Sequence, residues 1–395
     1  MGARPSGRAR VSGGRPDRAT YEVPPSLKSA PGTKKDRKEE AFFNRVAPEP
    51  EWLTNSRPGK AMERLEMAFT AERPEIKRVW GQRIAEQTQQ IRDAENAEPA
   101  TCEPSADMTS LVKEEALRLG FDAVGIARFH RTYVYSNYTG LVRYKHLIVL
   151  ALERPPEDFE NEILSVDYMH TTQQLMHEGT ERMLALTAFL GARGYRGQVV
   201  AGPIGINMVK VLPYAEEAGL GQMGLNGQLL SPYFGSRWHP FALSTDAPLT
   251  PDGPRDFGIP KLCDSCQVCV RRCPGRAIPN VRVHWRGAYK NKLDVEKCVP
   301  MLMRYATCNI CTKVCPVQKY GLAAVAEHFE ATGGEVLGKG TEELEGYTLP
   351  DRGHQAVGIL PRFSRDDARI RYELLDTLPA DVEPWVHQVG EGGGS

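Results

Sequence analysis

The distribution of apolar positions separates a polar beginning from a patterned middle of the chain. Between residues 105 and 258, short apolar runs alternate with segments whose apolar positions recur at helical spacing. The run His146–Leu152 is almost wholly apolar, which is typical of a strand buried on both faces. Runs at 121–127 and 197–201 predict two further strands. Strands that alternate with helices predict a mixed α/β core over 105–258.

Helices are predicted between and before these strands. One runs from Leu111 to Leu119 and stops at Gly120, and others cover 171–190 and 209–217. Helical patterns at 61–71 and 76–94, separated by Pro74 as a breaker, predict a helical extension over 61–104. Residues 1–60 are rich in Arg, Pro, Gly and Ser, which indicates a flexible arm. Residues 322–395 show little periodicity and are expected to wrap around the fold or trail from it.

Charge and hydropathy narrow the functional classes. The 395 residues include 50 Lys and Arg and 50 Asp and Glu, so the formal net charge is zero. A neutral chain argues against a nucleic-acid partner, because such binders usually carry a basic excess. No apolar run approaches the roughly 20 residues of a membrane span. The first 40 residues contain no apolar segment of an export signal, so we expect a cytoplasmic, reducing location.

Eight of the nine cysteines lie between Cys263 and Cys315. Three at two-residue spacing are followed by a fourth directly before a proline, and a second set repeats most of this pattern. The sets are Cys263, Cys266, Cys269 and Cys273, and Cys298, Cys308, Cys311 and Cys315. Each [4Fe–4S] cluster takes four thiolates, so this spacing predicts two clusters in a ferredoxin-like module over 259–321.

The pre-proline cysteines are expected to cross between the clusters, as in bacterial two-cluster ferredoxins. One cluster would then take Cys263, Cys266, Cys269 and Cys315, and the other Cys273, Cys298, Cys308 and Cys311. The alternative is zinc, since pairs of cysteines at two-residue spacing also build zinc ribbons. Cys102 lies alone in a polar segment and is interpreted as a bystander thiol.

Three segments before the cysteines carry a family resemblance. They are Ala218-Gly-Leu-Gly-Gln-Met-Gly224, Leu230-Ser-Pro-Tyr-Phe-Gly-Ser-Arg237 and Ser244-Thr-Asp-Ala-Pro-Leu249. Together with the eight cysteines, this order resembles the corrinoid-dependent reductive dehalogenases and, more distantly, the epoxyqueuosine reductases of tRNA modification. The resemblance covers roughly 105–320. It implies a nitroreductase-like, corrinoid-binding α/β core and a base-off cobalamin next to two [4Fe–4S] clusters.

The resemblance also implies particular site residues. Closely spaced glycines let backbone approach a flat macrocycle without a clash at Cβ. The implied cofactor-binding positions are Gly219, Gly221, Gly224, Pro232, Phe234, Gly235 and Ser236. Arg237 matches a family arginine that binds a halide or an anionic group, and Asn207 lies near the family's amide position, with Lys210 as a neighbouring candidate.

The proton donor is less directly indicated. The family uses a tyrosine near the start of the helix before Gly194-Tyr195, and the aligned position here is Met176-His177. Tyr168 lies earlier on the same predicted helix, so Tyr168 and His177 are both candidates, with His170 as a further alternative. Histidine titrates near neutral pH, whereas a tyrosine with a pKa near 10 needs help from a neighbour.

The sequence therefore predicts a reductive dehalogenase-like oxidoreductase with an organohalide substrate. Electrons would come from a separate ferredoxin, flavodoxin or reductase and pass through the clusters to cobalt. Two alternatives are an epoxyqueuosine reductase-like enzyme acting on tRNA and an electron-transfer iron–sulfur protein without a corrinoid.

Overall fold

The computed structural model describes residues 22–28, 74–135, 138–160, 166–202, 208–285, 288–305 and 308–358. The first part is a mixed α/β unit built on one four-stranded sheet. Its strands are β1 (Ala123–Arg128), β2 (His146–Glu153), β3 (Gly197–Ala201) and, after two short strands, β6 (Trp238–Thr245). The strand order is β1-β2-β6-β3, and each neighbouring pair is antiparallel.

The central strand β6 was not predicted from the sequence. Its segment Trp-His-Pro-Phe-Ala-Leu-Ser-Thr contains a proline, which normally argues against a central strand. Pro240 is tolerated because β3 pairs only with residues 242–245, so β6 has no strand partner on that side at Pro240. On the other side, Pro240 lies opposite Ala151 of β2.

Helices cover both faces of the sheet. The helices of this part are α1 (Pro74–Asn96), α2 (Thr109–Arg118), α3 (Val166–Gly191) and α4 (Val211–Glu217). Ile148, Leu150 and Leu152 of β2 point into a core shared with the first three helices. The alternate residues Leu147, Val149 and Ala151 point into a second core with α4. The prediction that this strand is buried on both faces is confirmed.

Most helix limits agree with the sequence pattern. Gly120 ends α2 with a φ of +92°, a conformation that glycine adopts without strain. Pro74 differs, because it is the first residue of α1 rather than a break before it. A proline is compatible with the first turn, where its missing N–H has no intrahelical acceptor. The helix predicted over 61–71 lies outside the described residues.

The cysteine block forms short helices around a small hairpin. Between the sheet and this block lie β4 (Gln222–Met223) and β5 (Leu229–Leu230). The block contains α5 (Ile259–Cys266), α6 (Val268–Arg272), β7 (Val283–Trp285), β8 (Ala288–Lys290), α7 (Val295–Arg304), α8 (Ile310–Lys313) and α9 (Pro316–Tyr320).

Segments from both ends of the described chain pack onto this block. The later one contains α10 (Leu322–Ala331), α11 (Glu342–Glu345), β9 (Tyr347–Leu349) and β10 (Gly353–Gln355). The buried Arg272 donates to the carbonyl oxygens of Gln355 and Ala356 at 2.6 and 3.1 Å. Within the segment expected to be a flexible arm, residues 22–28 place Leu27 in the same apolar core as Phe257. No helix in the described ranges is long and apolar enough to cross a membrane.

Candidate redox and active site

The eight clustered cysteines are free thiols that fall into two electrostatically coupled groups. Burial raises the pKa of Cys315 to about 12, and its neighbours Cys263 and Cys266 raise it further. Burial likewise raises the pKa of Cys308 to about 12, with Cys273 and Cys298 as its thiol neighbours. Cys269 couples to the first group and Cys311 to the second. We call Cys263, Cys266, Cys269 and Cys315 the first quartet, and Cys273, Cys298, Cys308 and Cys311 the second quartet.

This grouping matches the crossed partition predicted from the spacing. The pre-proline Cys315 couples to the first motif, and the pre-proline Cys273 couples to the second. The two quartets also meet, because Cys269 is coupled to Cys311. No group of three or more His, Cys, Asp or Glu side chains in the described ranges is arranged to hold a single metal ion. The coupling between thiols is therefore what defines the quartets.

Backbone N–H groups point at several of the sulfurs. Ala277 donates to Cys273 Sγ at 3.3 Å, and Leu225 donates to Cys263. Val317 and Gln318, in the first turn of α9, donate to Cys315. Such donors stabilise the anionic thiolate that an iron–sulfur cluster needs. The donor set of eight thiols in two quartets fits two [4Fe–4S] clusters.

The cysteine block is tied to the glycine-rich segment 218–237. Arg282, with a side chain only 5% exposed, donates to the carbonyl oxygens of Met223 and Pro260 and pairs with Asp264. Asn226 donates to the carbonyl oxygen of Cys311 at 3.5 Å. Since Leu225 also donates to Cys263, the glycine-rich segment contacts both quartets directly.

A second junction involves Gln318 of α9. Its side-chain oxygen accepts hydrogen bonds from the backbone N–H and the hydroxyl of Ser236, at 3.1 and 3.0 Å. Its carbonyl oxygen accepts from Arg237 Nη1 at 3.5 Å. Gln318 therefore joins the Cys315 turn to the beginning of β6.

A cluster of charged and aromatic side chains lies where β2 ends and β6 begins. Arg237 forms a 2.9 Å ion pair with Glu153, and both side chains are largely buried. The backbone N–H of Arg154 donates to the carbonyl oxygen of Arg237 at 2.9 Å. Arg154 and Arg237 are therefore joined by their backbones, directly beyond the paired residues Glu153 and Trp238.

Arg154 connects this cluster to the first turn of α3. Its Cζ lies 3.9 Å from the centre of the Tyr168 ring, and its Nη2 donates to the Tyr168 carbonyl and the Thr172 hydroxyl. His239, two residues along β6 from Arg237, lies on the same face. Burial lowers the pKa of His239 to about 4, and the positive charge of Arg154 contributes. The predicted residues Tyr168 and Arg237 are thus linked through Arg154, whose side chain contacts Tyr168 and whose backbone contacts Arg237.

His177 lies elsewhere. It follows Tyr168 by about two and a half helical turns, so it extends from the opposite side of α3. Gln87 of α1 donates to the His177 carbonyl at 3.1 Å and accepts from its Nδ1–H at 2.8 Å. This contact leaves Nε2 as the unprotonated nitrogen, and Nε2 is buried without a partner among the described atoms. Burial lowers the pKa of His177, and Arg83 adds to the effect.

The glycines predicted to approach the corrinoid are closely packed against the chain itself. A Cβ at Gly221 would lie 2.4 Å from the Leu230 carbonyl oxygen, and one at Gly224 would lie 2.9 Å from the Asn226 side chain. Gly219 ends α4 with a φ of +68°. The chain itself fills the space that side chains would take here, and the role of these glycines in binding a cofactor stays a prediction.

The remaining predicted cofactor positions form a closed loop. Ser231 and Gly235 exchange two backbone hydrogen bonds, at 2.7 and 3.0 Å. Pro232 and Phe234 are buried, and the Phe234 ring packs 6.1 Å from that of Trp238. Gly235 and Ser236 contact Gln318. These residues position Arg237 against the cysteine block.

The structure describes some of the other predicted site residues and not others. Asn207 lies outside the described residues, and His170 lies on α3. Lys210 is buried and donates to the Thr132 carbonyl at 3.3 Å. Sequence reasoning missed Arg154, His239, Gln318 and Arg282. Of these, only Arg154 had a sequence signal, since it is a charged residue directly after a buried apolar strand.

Solved reductive dehalogenases share this fold. One, a catabolic enzyme in complex with 3-bromo-4-hydroxybenzoic acid, matches with a TM-score of 0.50 and 22% identity, over 62% of this chain and 40% of that chain. Another, described with a mechanism for B12-dependent dehalogenation, matches with a TM-score of 0.51 and 20% identity, over 71% and 46%. The class of fold is therefore that of the reductive dehalogenases.

Curated sequences extend the relationship. The tetrachloroethene reductive dehalogenase of Sulfurospirillum multivorans is 29% identical over 56% of this chain and 52% of its own length. That of Dehalobacter restrictus is 34% identical over 40% and 27%. The epoxyqueuosine reductase of Listeria monocytogenes is 31% identical over 27% and 28%. The chain is thus a relative of reductive dehalogenases and, over a shorter stretch, of epoxyqueuosine reductases.

These relatives are named for oxidoreductase activities. The chain spans about half the length of the first curated relative. No family model matches the chain.

Proposed function

We propose that the chain is a cobalamin-dependent iron–sulfur oxidoreductase that removes a halogen from an organohalide. One observation carries this proposal: a continuous series of contacts from a cysteine quartet to a tyrosine. It runs from Cys315 through Gln318 to Arg237, and through Arg154 to Tyr168. Reductive dehalogenation needs an electron relay next to a proton donor and an anion site, and this series joins groups suited to all three roles.

The cofactors are part of the proposal. Each quartet would hold one [4Fe–4S] cluster in a ferredoxin-like module over 259–321, and the nitroreductase-like core over 105–258 would hold the corrinoid next to the segment 218–237. When bound, these groups supply single electrons and a strongly reducing centre for the carbon–halogen bond. The solved relative described with B12-dependent dehalogenation supports the corrinoid.

The protein's own residues would handle the proton and the anion. Replacing halogen by hydrogen consumes two electrons and one proton and releases a halide ion. Tyr168 donates the proton, and the adjacent Arg154 guanidinium stabilises the tyrosinate that remains. Arg237, held by Glu153, attracts the halide or an anionic substituent of the substrate.

Tyr168 is preferred over His177 as the donor. The imidazole of His177 is buried with a lowered pKa, so it is neutral at physiological pH. Its one N–H already donates to Gln87, and its free nitrogen is an acceptor. A neutral imidazole held in this tautomer has no proton to give at Nε2.

The electrons would come from a separate reduced carrier, a ferredoxin, flavodoxin or reductase. The eight thiols would persist in a reducing compartment, so we place the protein in the cytoplasm.

The decisive experiment measures metal content and halide release on anaerobically produced protein supplied with cobalamin. We expect about eight iron atoms per chain, as two cubane clusters require, and about one cobalt. Reduced viologen should then drive bromide or chloride release from halophenols. Iron without cobalt after reconstitution would instead indicate an electron-transfer protein. Cobalt with no halide release, but with conversion of epoxyqueuosine in tRNA, would indicate the tRNA-modifying alternative.

A further inference from the structure

The charge on the cysteine block is unevenly distributed. Residues 271–297 contain eight Lys and Arg and two Asp and Glu, although the whole chain is neutral. The segment 322–345 contains six Glu and one Lys. The acidic segment lies beside the first quartet, because Lys339 within it donates to the Ser265 carbonyl at 2.6 Å. The basic segment surrounds cysteines of the second quartet.

Not all basic residues of 271–297 face solvent. Arg272 is buried, and Arg282 is turned toward Met223 and Pro260. Arg271 is 43% exposed and pairs with the buried Glu345. Three further exposed basic residues lie in the described part of this segment, with two exposed apolar ones, and one of the three, Lys297, forms a 2.9 Å ion pair with Asp294. They are Arg276, Lys292 and Lys297, with Val281 at 60% and Val283 at 40% exposure, and we call these five residues the basic patch.

The two stretches that carry the patch lie side by side. Asp294 donates its backbone N–H to the Ala277 carbonyl at 2.8 Å, and Asn291 donates to the Pro279 carbonyl. A Cβ at Gly275 would lie 2.5 Å from the Lys297 carbonyl oxygen. Arg276 and Lys297 are therefore close neighbours, although 20 positions separate them in sequence.

The patch lies directly over the second quartet. The backbone N–H of Arg276 donates to Cys273, and Lys297 precedes Cys298 in α7. Arg276 has a φ of +50°, a left-handed conformation that is uncommon for a long side chain. A glycine would adopt this conformation without strain, and the arginine instead places a long charged side chain at the surface beside Cys273.

We propose that the basic patch docks a small electron-carrier protein with an acidic surface, which delivers its electrons to the second quartet. This inference rests on the proposed function, since it assumes a cluster in that quartet. An apolar centre with a charged rim is typical of transient interfaces between redox proteins. The acidic segment beside the first quartet repels an acidic partner. The uneven charge therefore directs the carrier to the surface over the second quartet.

The electron balance is simple. Each docking event oxidises the carrier by one electron and reduces the second cluster by one. A cluster in the second quartet would pass the electron to one in the first quartet, where Cys311 meets Cys269, and the corrinoid would be the final acceptor. Two such transfers supply the two electrons needed to release one halide ion.

The test is stopped-flow reduction of the cluster-loaded protein by an acidic flavodoxin in its hydroquinone form. The patch variant carries Arg276→Glu, Lys292→Glu and Lys297→Glu. The control variant carries Arg128→Glu, Arg131→Glu and Lys145→Glu, which makes the same charge change at exposed positions of the α/β core. Photoreduced deazaflavin, which is uncharged, serves as a reductant that needs no docking.

At low ionic strength we expect the patch variant to lose about tenfold or more in its second-order rate with flavodoxin, because electrostatic steering speeds association by about that factor. The control variant should keep the wild-type rate, and deazaflavin should reduce all three proteins equally. A wild-type rate in the patch variant, an equal loss in the control, or no reduction of the wild type by flavodoxin would each overturn the docking proposal. Failure of the proposed function would be seen in different measurements. The protein would then lack iron, or it would release no halide when reduced viologen supplies the electrons.

Discussion

At the scale of single residues, the site depends on buried charge that is balanced locally. Arg237 pairs with Glu153 at 2.9 Å, and the Arg154 guanidinium lies against the Tyr168 ring. The nearby His239 stays neutral, because burial and Arg154 both disfavour its protonation.

Replacing the tyrosine hydroxyl tests its role as the proton donor. In Tyr168→Phe we expect turnover of halophenols with reduced viologen to fall by about a hundredfold or more, because general acids contribute at least that factor. The iron and cobalt contents should stay at wild-type values.

Tyr195→Phe is the matched control. It removes a hydroxyl that bonds the Ser105 backbone at 2.8 Å, just beyond the far end of α3. Turnover in this control should change little. If Tyr168→Phe retained wild-type turnover, the proton would have to come from another group.

The buried His239 predicts a pH dependence of stability. Its pKa is about 4 in the folded protein, against about 6.5 when unfolded, so between these values only the unfolded chain binds the proton. The free energy of unfolding should therefore be unaffected above about pH 6.5. It should decrease as the pH falls toward 4, by up to about 3 kcal/mol.

Urea unfolding of wild type and His239→Gln between pH 4 and 7 measures this contribution. The difference in the free energy of unfolding between wild type and variant should narrow as the pH falls. Only the wild type loses stability through the titration of residue 239, because glutamine has no proton to bind. A difference independent of pH would show that His239 titrates normally.

At the scale of elements, β6 organises the molecule. It pairs with β2 along eight positions and with β3 on its other side, and its first residues contact the cysteine block through Gln318. Helix α3 crosses this strand at Gly179, where a Cβ would lie 2.1 Å from the Phe241 ring. A glycine within a long helix is explained here by close helix–sheet packing.

The pair Gly179→Ala and Gly81→Ala tests that packing. Alanine favours a helix over glycine by about 1 kcal/mol. Gly81 lies on α1 with no atom near its missing Cβ, so Gly81→Ala should be stabilising by about that amount. Gly179→Ala should be destabilising by about 1–3 kcal/mol, because the new methyl group overpacks the Phe241 contact.

Thermal or urea unfolding of both variants gives the comparison. Opposite signs are expected from the same chemical change in two helices. Stabilisation by both alanines would mean that α3 does not lie against Phe241.

At the scale of the whole molecule, the crossed quartets make one unit of two distant cysteine motifs. Cys273 interacts with the thiols of the second motif and Cys315 with those of the first, so in the proposed ligation each cluster would need both segments. The contacts of Gln318 and Arg282 then fix this unit against the glycine-rich segment.

Paired cysteine substitutions distinguish crossed from uncrossed ligation. Cys273→Ala with Cys298→Ala removes ligands of one cluster if the quartets cross, and about four iron atoms should remain. Cys298→Ala with Cys315→Ala removes ligands of both clusters, and little iron should remain. With uncrossed ligation the first pair would leave little iron and the second pair about four iron atoms. The control variant Cys102→Ala, at an exposed cysteine outside both quartets, should keep all the iron.

The sequence by itself determined the parts whose signals are local. Cysteine spacing predicted two sets of four thiols, and the thiols interact in the same two sets. That each set holds a [4Fe–4S] cluster stays a prediction. The alternation of apolar runs predicted the strands at 146–152 and 197–201 and the helix α3, because burial imposes a periodicity that can be read locally.

Features that depend on contacts between residues far apart in the sequence were decided only by the tertiary structure. The central strand β6 was hidden by Pro240, which is tolerated because β3 ends before it. The choice between Tyr168 and His177 required knowing which side of α3 faces the β2 end and which faces Gln87. Arg154, His239 and Gln318 have no motif of their own, since their roles arise from neighbours that only folding brings together.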